Sequence, residues 1–360
     1  MKSKKTVVVG MSGGVDSSVA AYLLKNQGYH VIGVTMQIWQ EEDACTVEQE
    51  GGCCGLSAVD DARRVAGQLD IPYYVMNFRR EFQENVINYF VKEYREGRTP
   101  NPCIACNRYV KWESLLQKSL AIGADYIATG HYAKIKKLKN GRYTLVRSDA
   151  KGKDQTYALY NLTQEQLAHT IFPLGEYEKP RIRELAEEAG LQVAHKPDSQ
   201  EICFVPDNDY AGFIERETGE AEQPGNFVNR SGEVLGEHKG IGHYTIGQRK
   251  GLGIAFGEPM FVVQIRPETN EVVLGRGEEV FTNSLTAHRV NYMAVDHLEL
   301  GQEVIAKIRY NDRGAKAIVT AVGEDMFALE FPEPVRAVTP GQAVVLYDED
   351  YVIGGGTIVG

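Results

Sequence analysis

The chain has no apolar run approaching the ~20 residues that cross a bilayer. Its opening Met1-Lys2-Ser3-Lys4-Lys5 leads at once into a strand-like stretch too short for a secretory core, so a cytoplasmic protein without a membrane partner is expected. Six cysteines in 360 residues do not make a disulfide scaffold; in a reducing compartment they point to catalysis or metal binding. Internal repeats and low-complexity tracts are missing. So is the Gly-Lys-Ser/Thr ending of a Walker A loop, which disfavours a generic kinase or GTPase. Cationic excess is lacking too. The formal net charge of −10 argues mildly against a nucleic-acid partner, although a local basic surface is enough for phosphate contact. What remains, 43% hydrophobic and 24% charged residues, is ordinary for a soluble chain with room for two or three domains.

Against that plain background stands Ser12-Gly13-Gly14-Val15-Asp16-Ser17-Ser18, directly after Val7-Val8-Val9-Gly10. The β-branched run predicts a buried strand, and Asp16 to Gln27 a helix with Val19, Ala20, Leu23 and Leu24 on one face. The glycines therefore occupy a strand-to-helix turn, where backbone N–H groups and a helix N-terminus converge. Such a turn binds anions. Glycine permits close approach and the three serines add hydroxyl donors.

The first ~135 residues alternate strands and helices, the pattern of a doubly wound parallel sheet. Strands are predicted at Val31–Trp39, Tyr73–Phe78 and Tyr126–Thr129, and helices at Val59–Leu69, Phe82–Tyr94 and Asn107–Ala121. Ligands in such sheets bind beyond the carboxyl ends of the strands, which collects the Ser12 loop, the segment after Met36, Asn77-Phe78 and Gly130-His131. From Asp207 the chain is polar, turn-rich and then glycine-rich, which suits a small loop-rich domain. From about Val280 it becomes short strands: Thr286–Tyr292, Glu303–Arg309, Ala315–Val322, Met326–Phe331, Ala343–Tyr347 and Tyr351–Ile358. They predict a C-terminal β-barrel. The expected domains are 1–205, 206–277 and 278–360.

Cys103-Ile104-Ala105-Cys106 follows Arg98-Thr99-Pro100-Asn101-Pro102, whose prolines force an extended chain. Cysteines near a helix N-terminus, beside Arg108 and Lys111, gain thiolate character, and the thiolate is the reactive form. Asp198-Ser199-Gln200-Glu201-Ile202-Cys203-Phe204 is a polar loop delivering one more cysteine. A lone cysteine is usually a small buried hydrophobe. That bland reading holds for Cys53 and Cys54 and stays open for Cys45.

The SGGxDS pattern resembles the pyrophosphate loop of ATP pyrophosphatases. Taken with Asn101-Pro102…Cys106-Asn107, Thr129 to Ala133, Lys153-Asp154-Gln155, Asp198 to Phe204, Tyr244 to Gly253 and Arg336 to Gln342, the whole chain resembles the tRNA-specific 2-thiouridylase family of the MnmA type. The resemblance implies an α/β domain of ATP-pyrophosphatase type, a small middle domain and a C-terminal β-barrel. The activity implied is ATP-dependent 2-thiolation of the wobble uridine in the tRNA anticodon region, with Mg²⁺. Cys203 is implied as the persulfide carrier, and Cys106 as the thiol that releases the sulfur and pairs with Cys203 as a disulfide. Gly10, Met11, Ser12, Gly13, Gly14, Val15, Asp16, Ser17, Met36 and Gly130 are implied at ATP, and Asn101, Pro102 and Cys103 at the target base. His131, Lys153, Asp154, Gln155, Arg309, Tyr310 and Gln342 are implied at tRNA. A cysteine desulfurase or sulfur relay would supply the sulfur.

Cys103 departs from the family pattern, where many members carry aspartate. A C-x-x-C with a distant Cys203 leaves open a [4Fe–4S] cluster on Cys103, Cys106 and Cys203, although the persulfide account is favoured. Arg249-Lys250 suits phosphate contact, and Arg79, Arg80, Arg95, Arg98, Arg108 and Lys111 concentrate positive charge around Cys106. A small-molecule ATP-pyrophosphatase synthetase would need the loop but neither cysteine. An RNA-binding protein with a dead nucleotide fold would need neither loop nor cysteines intact.

Overall fold

A computed structural model of the chain describes residues 4–38, 56–198, 202–254 and 257–360. Trp39, Cys45, Cys53, Cys54 and Ser199 to Glu201 lie outside the described residues. The chain divides into two compact units, one of residues 1–86, 103–206 and 350–352, the other of 87–102, 207–349 and 353–360.

The first unit carries a parallel sheet of β1 (Thr6–Gly10), β2 (His30–Gln37), β3 (Tyr73–Asn77) and β4 (Tyr126–Ala128). A hairpin follows, β5 (Lys134–Lys137) and β6 (Tyr143–Val146), and the short β7 (Thr170–Ile171) completes the sheet in the order β3-β2-β1-β4-β7. Every pairing in it is parallel. The order reverses between β1 and β4, so the crevice beyond those two strand ends is the topological switch point. Val7, Val8 and Val9 are wholly buried, as a central strand covered on both faces requires. The helix α1 (Val15–Asn26) buries Val15, Val19, Ala20, Ala21 and Leu24 in a core shared with Ala62 and Val65 of α2 (Leu56–Gln68).

Helical residues 79–95 (α3) and 102–121 (α4) follow, and the expected alternation of strands and helices holds. Most bounds in this unit move by one to three residues, and its largest move is at the cysteine helix. The helix predicted from Asn107 begins at Pro102, because proline is pre-set for a helix's first turn and has no N–H to leave unpaired. Cys103 is therefore in that first turn, and Cys106 opens a stretch wound as a π-helix (Cys106–Leu115). Beyond the expected elements lie α5 (Gln164–Ala168), held by a Thr163/Gln166 capping box, and α6 (Lys179–Glu188), opened by Pro180. Ile182, Leu185 and Ala186 of α6 join the α1 core.

In the second unit α7 (Tyr210–Thr218) precedes β8 (Gly225–Val228), β9 (Val234–His238), β10 (Phe261–Arg266) and β11 (Glu271–Gly275). These form a four-stranded sheet over Phe227, Tyr244, Val262 and Leu274. Then come β12 (Phe281–Tyr292), β13 (Glu303–Lys307), β14 (Ala315–Val322), β15 (Met326–Arg336), β16 (Ala343–Asp348) and β17 (Tyr351–Ile358). They pair in the order β12-β15-β14-β13-β16-β17, and β12 closes on β17. The predicted barrel is present, with β14 and β17 at their expected bounds.

Candidate active site

The Ser12 loop leaves β1 at the switch point and enters α1 with Gly14 as its N-cap, which has no side chain to accept from the first-turn N–H groups. The first-turn N–H groups thus depend on neighbours or on a ligand. Met11 is buried; its N–H donates to Val34 O (2.8 Å) and its carbonyl accepts from Thr35 Oγ1 (2.7 Å), which pins the loop's start to β2. Ser17 Oγ accepts from Ser12 N–H (3.1 Å) and donates to Gly14 O (3.2 Å), closing the loop on itself. Gly13 has φ of +69°, and a Cβ on it would meet Ala58 O at 2.3 Å. Gly130, at the end of β4, would place a Cβ 2.7 Å from Ser17 N. Glycine at position 13 lets the loop lie against Ala58 of α2, and at position 130 lets the β4 end meet the start of α1.

Around the loop is a network of opposite charges. Lys179 Nζ donates to both oxygens of Asp16 (2.7 and 2.8 Å) and stands 2.8 Å from Asp198 Oδ1. Asp198 also pairs with Lys153 (2.9 Å) and Arg183 (3.2 Å). Lys196 donates to Gly13 O (3.2 Å) and pairs with Asp61 (2.8 Å). Four cations thus face three carboxylates, a local surplus of positive charge in an acidic chain. Burial alone would raise the Asp198 carboxyl, but Lys179 and Lys153 outweigh it and hold it below the usual carboxylate range. Tyr132 donates to Asp16 Oδ1 (2.7 Å); burial, then Asp16, push its phenol far up, so it stays a donor.

Lys179, Lys196, Arg183 and Tyr132 escaped the sequence reading of the site. A lysine followed by proline and a run of helix formers signals a helix start after a strand. That signal lay in Glu178-Lys179-Pro180.

The remaining predicted residues fall in several places. Gly10 ends β1 and Met36 lies near the end of β2, half-buried and paired in register with Met76. Val15 is buried in α1. His131 touches Thr129 Oγ1 through Nδ1 (2.7 Å) and packs near Trp112 and Phe172. Burial, with Lys111 adding to it, drives its pKa well below the histidine range, so the ring is neutral. Asp154 accepts from Ser148 N–H (3.1 Å) and Thr156 Oγ1 (2.7 Å), and Gln155 accepts from Tyr132 N–H (2.9 Å). Lys153-Asp154-Gln155 therefore braces the crevice wall.

Cys103 is exposed, Cys106 and Cys203 half-buried. Asn107, beside Cys106, donates to Ala158 O (2.9 Å) and accepts from Lys111 (2.9 Å), and Trp112 donates to Thr170 (2.8 Å), which anchors α4 to the β7 region. Phe204, beside Cys203, packs edge-on against Phe82 (5.8 Å), whose short helical turn Arg79–Phe82 lies against Cys106–Leu115. Both cysteine segments thus meet the Arg79–Phe82 turn. Among the described residues no group of three or more His, Cys, Asp or Glu side chains is placed to hold a metal ion.

In the second unit, Arg309 donates to Arg336 O (2.5 Å) and Gln342 to Thr99 O (2.9 Å), while Tyr310 is exposed. Arg249 and Lys250 are exposed beside the four-stranded sheet. Asn101 is half-buried and Pro102 buried.

Three family models tile the chain: the tRNA methyl transferase HUP domain over residues 5–207, the tRNA methyl transferase PRC-barrel domain over 211–276, and the aminomethyltransferase beta-barrel domain over 282–358. A tRNA-specific 2-thiouridylase MnmA of Lachnoclostridium phytofermentans is 69% identical over 355 residues, 99% of each chain. One of Clostridium perfringens is 60% identical over 356 residues, again 99% of each chain. The chain belongs to the tRNA-specific 2-thiouridylase MnmA family. Membership makes it an enzyme of tRNA modification, with a nucleotide-binding HUP domain as its N-terminal part. A solved 4-thiouridine synthetase–RNA complex with bound ATP is 18% identical and covers 57% of this chain and 46% of its own, but at a TM-score of 0.33 the likeness is too loose to build on.

Proposed function

We propose that the enzyme replaces the C2 oxygen of a tRNA wobble uridine with sulfur, using MgATP to activate the oxygen and a Cys203 persulfide to deliver the sulfur. The observation that carries the reading is the Ser12 loop at the switch point, ringed by surplus cations, in the unit that also bears Cys106 and Cys203. A pyrimidine carbonyl oxygen is a poor leaving group. Transfer of AMP to it, with loss of pyrophosphate, makes it a good one. The loop N–H groups, Ser12 and Ser17 take the phosphates. Lys179 neutralises Asp16, which otherwise repels the nucleotide. Magnesium bound with the nucleotide would neutralise charge on the departing pyrophosphate. Gly10, Met36 and Gly130 read the nucleotide through main-chain atoms.

The terminal sulfur of the Cys203 persulfide attacks C2 and AMP departs. The Cys106 thiolate then attacks the Cys203 sulfur, leaving 2-thiouridine and a Cys106–Cys203 disulfide that an external thiol reductant reopens. A persulfide-donating protein recharges Cys203. Asn101, Pro102 and Cys103 face the base; His131, Lys153, Arg309 and Tyr310 face the tRNA, with Tyr310 able to stack on an unpaired base. The three domains are taken as 1–205, 206–277 and 278–360, in the cytoplasm.

Cys203→Ser is expected to abolish thiolation while ATP and tRNA affinities stay as in the wild type, since transfer follows binding. Wild-type levels of 2-thiouridine in that variant would remove Cys203 as carrier. Iron-free protein supplied with a persulfide donor is expected to thiolate fully; activity confined to an iron-loaded preparation would overturn the persulfide route.

A further inference from the structure

Residues 134–153 carry eight lysines and arginines against a single carboxylate, Asp149, in a chain of net charge −10. They form the β5–β6 hairpin and the turn after it. The tip is an Asn140-Gly141 turn: Gly141 has φ of +88°, Asn140 Oδ1 accepts from Arg142 N–H (3.1 Å), and Leu138 N–H donates to Arg142 O (2.8 Å). Ala150 is buried in the α1 core and its carbonyl accepts from Lys153 N–H (3.1 Å), which sets Lys151 on a tight, anchored turn. Both ends of the stretch meet at the nucleotide crevice. Gln155 N–H donates to Tyr132 O and Gln155 Oε1 accepts from Tyr132 N–H, each at 2.9 Å, while the Tyr132 hydroxyl reaches Asp16 of the Ser12 loop.

Asp149 is spent on Lys134 (2.6 Å), and Lys153 turns back to Asp198 (2.9 Å). Lys136, Lys139 and Lys151 are exposed, and none of the three has an ion-pair partner among the described residues. Clustered like charges repel one another and destabilise the fold unless an anion offsets them. Lysine on β5, the last strand of its sheet, also guards an edge against pairing with another chain, which accounts for Lys136. It does not account for Lys139 at the tip or Lys151 beyond the hairpin. Ammonium groups are point charges that suit phosphate and read no base edge. Strung along an extended hairpin, they match the regularly spaced anions of a nucleic-acid backbone better than the scattered carboxylates of an acidic protein. We propose that the β5–β6 hairpin, through Lys136, Lys139 and Lys151, is a phosphate-contact surface that holds the tRNA backbone at the rim of the crevice. The inference rests on the reading above that tRNA is the substrate.

The test measures tRNA affinity of the full-length protein across a salt series, with an unmodified tRNA transcript bearing a wobble uridine. In the triple variant Lys136→Ala, Lys139→Ala, Lys151→Ala, the slope of log affinity against log salt is expected to shrink by about 2.1 to 2.7, three contacts' worth. ATP affinity, and kcat at saturating tRNA, are expected to stay as in the wild type. Arginine at the same three positions is expected to keep the slope. Should the triple variant self-associate through its bared edge, Lys139→Ala with Lys151→Ala leaves β5 intact and is expected to shrink the slope by about 1.4 to 1.8. Wild-type slope and affinity in the alanine variants would overturn the proposal. So would unchanged tRNA affinity with a raised KM for the persulfide-donating protein, which would make the hairpin that partner's dock. A wild-type protein that does not bind the transcript even at low salt would bring down the proposed function instead.

Discussion

At the scale of single residues, the telling side chain is Lys179. It is 13% exposed and shares its charge between Asp16 in the loop and Asp198, five residues ahead of Cys203. Charge-assisted hydrogen bonds in a partly dry site are the strong ones, and removing one partner leaves the other costly. Lys179→Met is therefore expected to weaken ATP binding roughly tenfold or more, because Asp16 is left uncompensated beside the triphosphate. Adding Asp16→Asn to that variant is expected to recover part of the affinity. Equilibrium ATP binding by the single and double variants measures both, and a single variant that binds like the wild type sinks the role. The Ser12 loop was legible because glycine and serine at a strand–helix junction have few other uses. Lys179 was not, because a lysine before a helix acquires its role only when that helix packs on α1.

At the scale of elements, the meeting of β1, β4 and α1 decides whether a nucleotide fits. Gly130 closes that meeting, since its Cα faces the Ser17 amide and the Asp16 backbone. Gly130→Ala forces a Cβ into main-chain atoms that cannot swing aside. Overpacking of this kind costs about 1–3 kcal/mol. A lower melting temperature and weaker ATP affinity are expected together, and a variant unaltered in both would show that the α1 N-terminus yields freely. The early start of α4 bears on the cysteines. Helix-dipole stabilisation of a thiolate fades within the first turn, so Cys103 receives it more directly than Cys106. Arg108, 3.8 Å from Glu113, and Lys111, hydrogen-bonded to Asn107, stay near Cys106 in the chain but have partners of their own.

At the scale of the whole molecule, a chain of net charge −10 is proposed to hold a polyanion. Cations in defined places make that workable, since each neutralised phosphate releases counterions. Log affinity for tRNA is expected to fall with log salt at about −0.7 to −0.9 per phosphate contact. Arg249→Ala with Lys250→Ala is expected to flatten that slope by roughly two contacts' worth. An affinity that does not move between low and moderate salt would mean that the exposed Arg249 and Lys250 face away from the tRNA backbone. Not every predicted cation is available for this. Arg98 is committed to Glu93 and Arg95 to Glu220 (2.5 Å).

Local chemistry by itself determined the doubly wound sheet, the Ser12–Ser18 strand-to-helix loop and the barrel strands, and it singled out the cysteine-bearing segments. Each follows from periodicity, turn residues or the N–H-poor character of proline, all of which act over a few neighbouring positions. The family was legible for the same reason, since its motifs are short and contiguous. Tertiary structure alone decided which residues surround the loop: Lys179, Lys196 and Asp198 come from segments more than a hundred and fifty positions away from Asp16 in the chain, and only packing of α6 on α1 brings Lys179 to it. It alone also bound the Arg336–Gln342 motif to Thr99, a pairing 243 positions apart that no local propensity encodes.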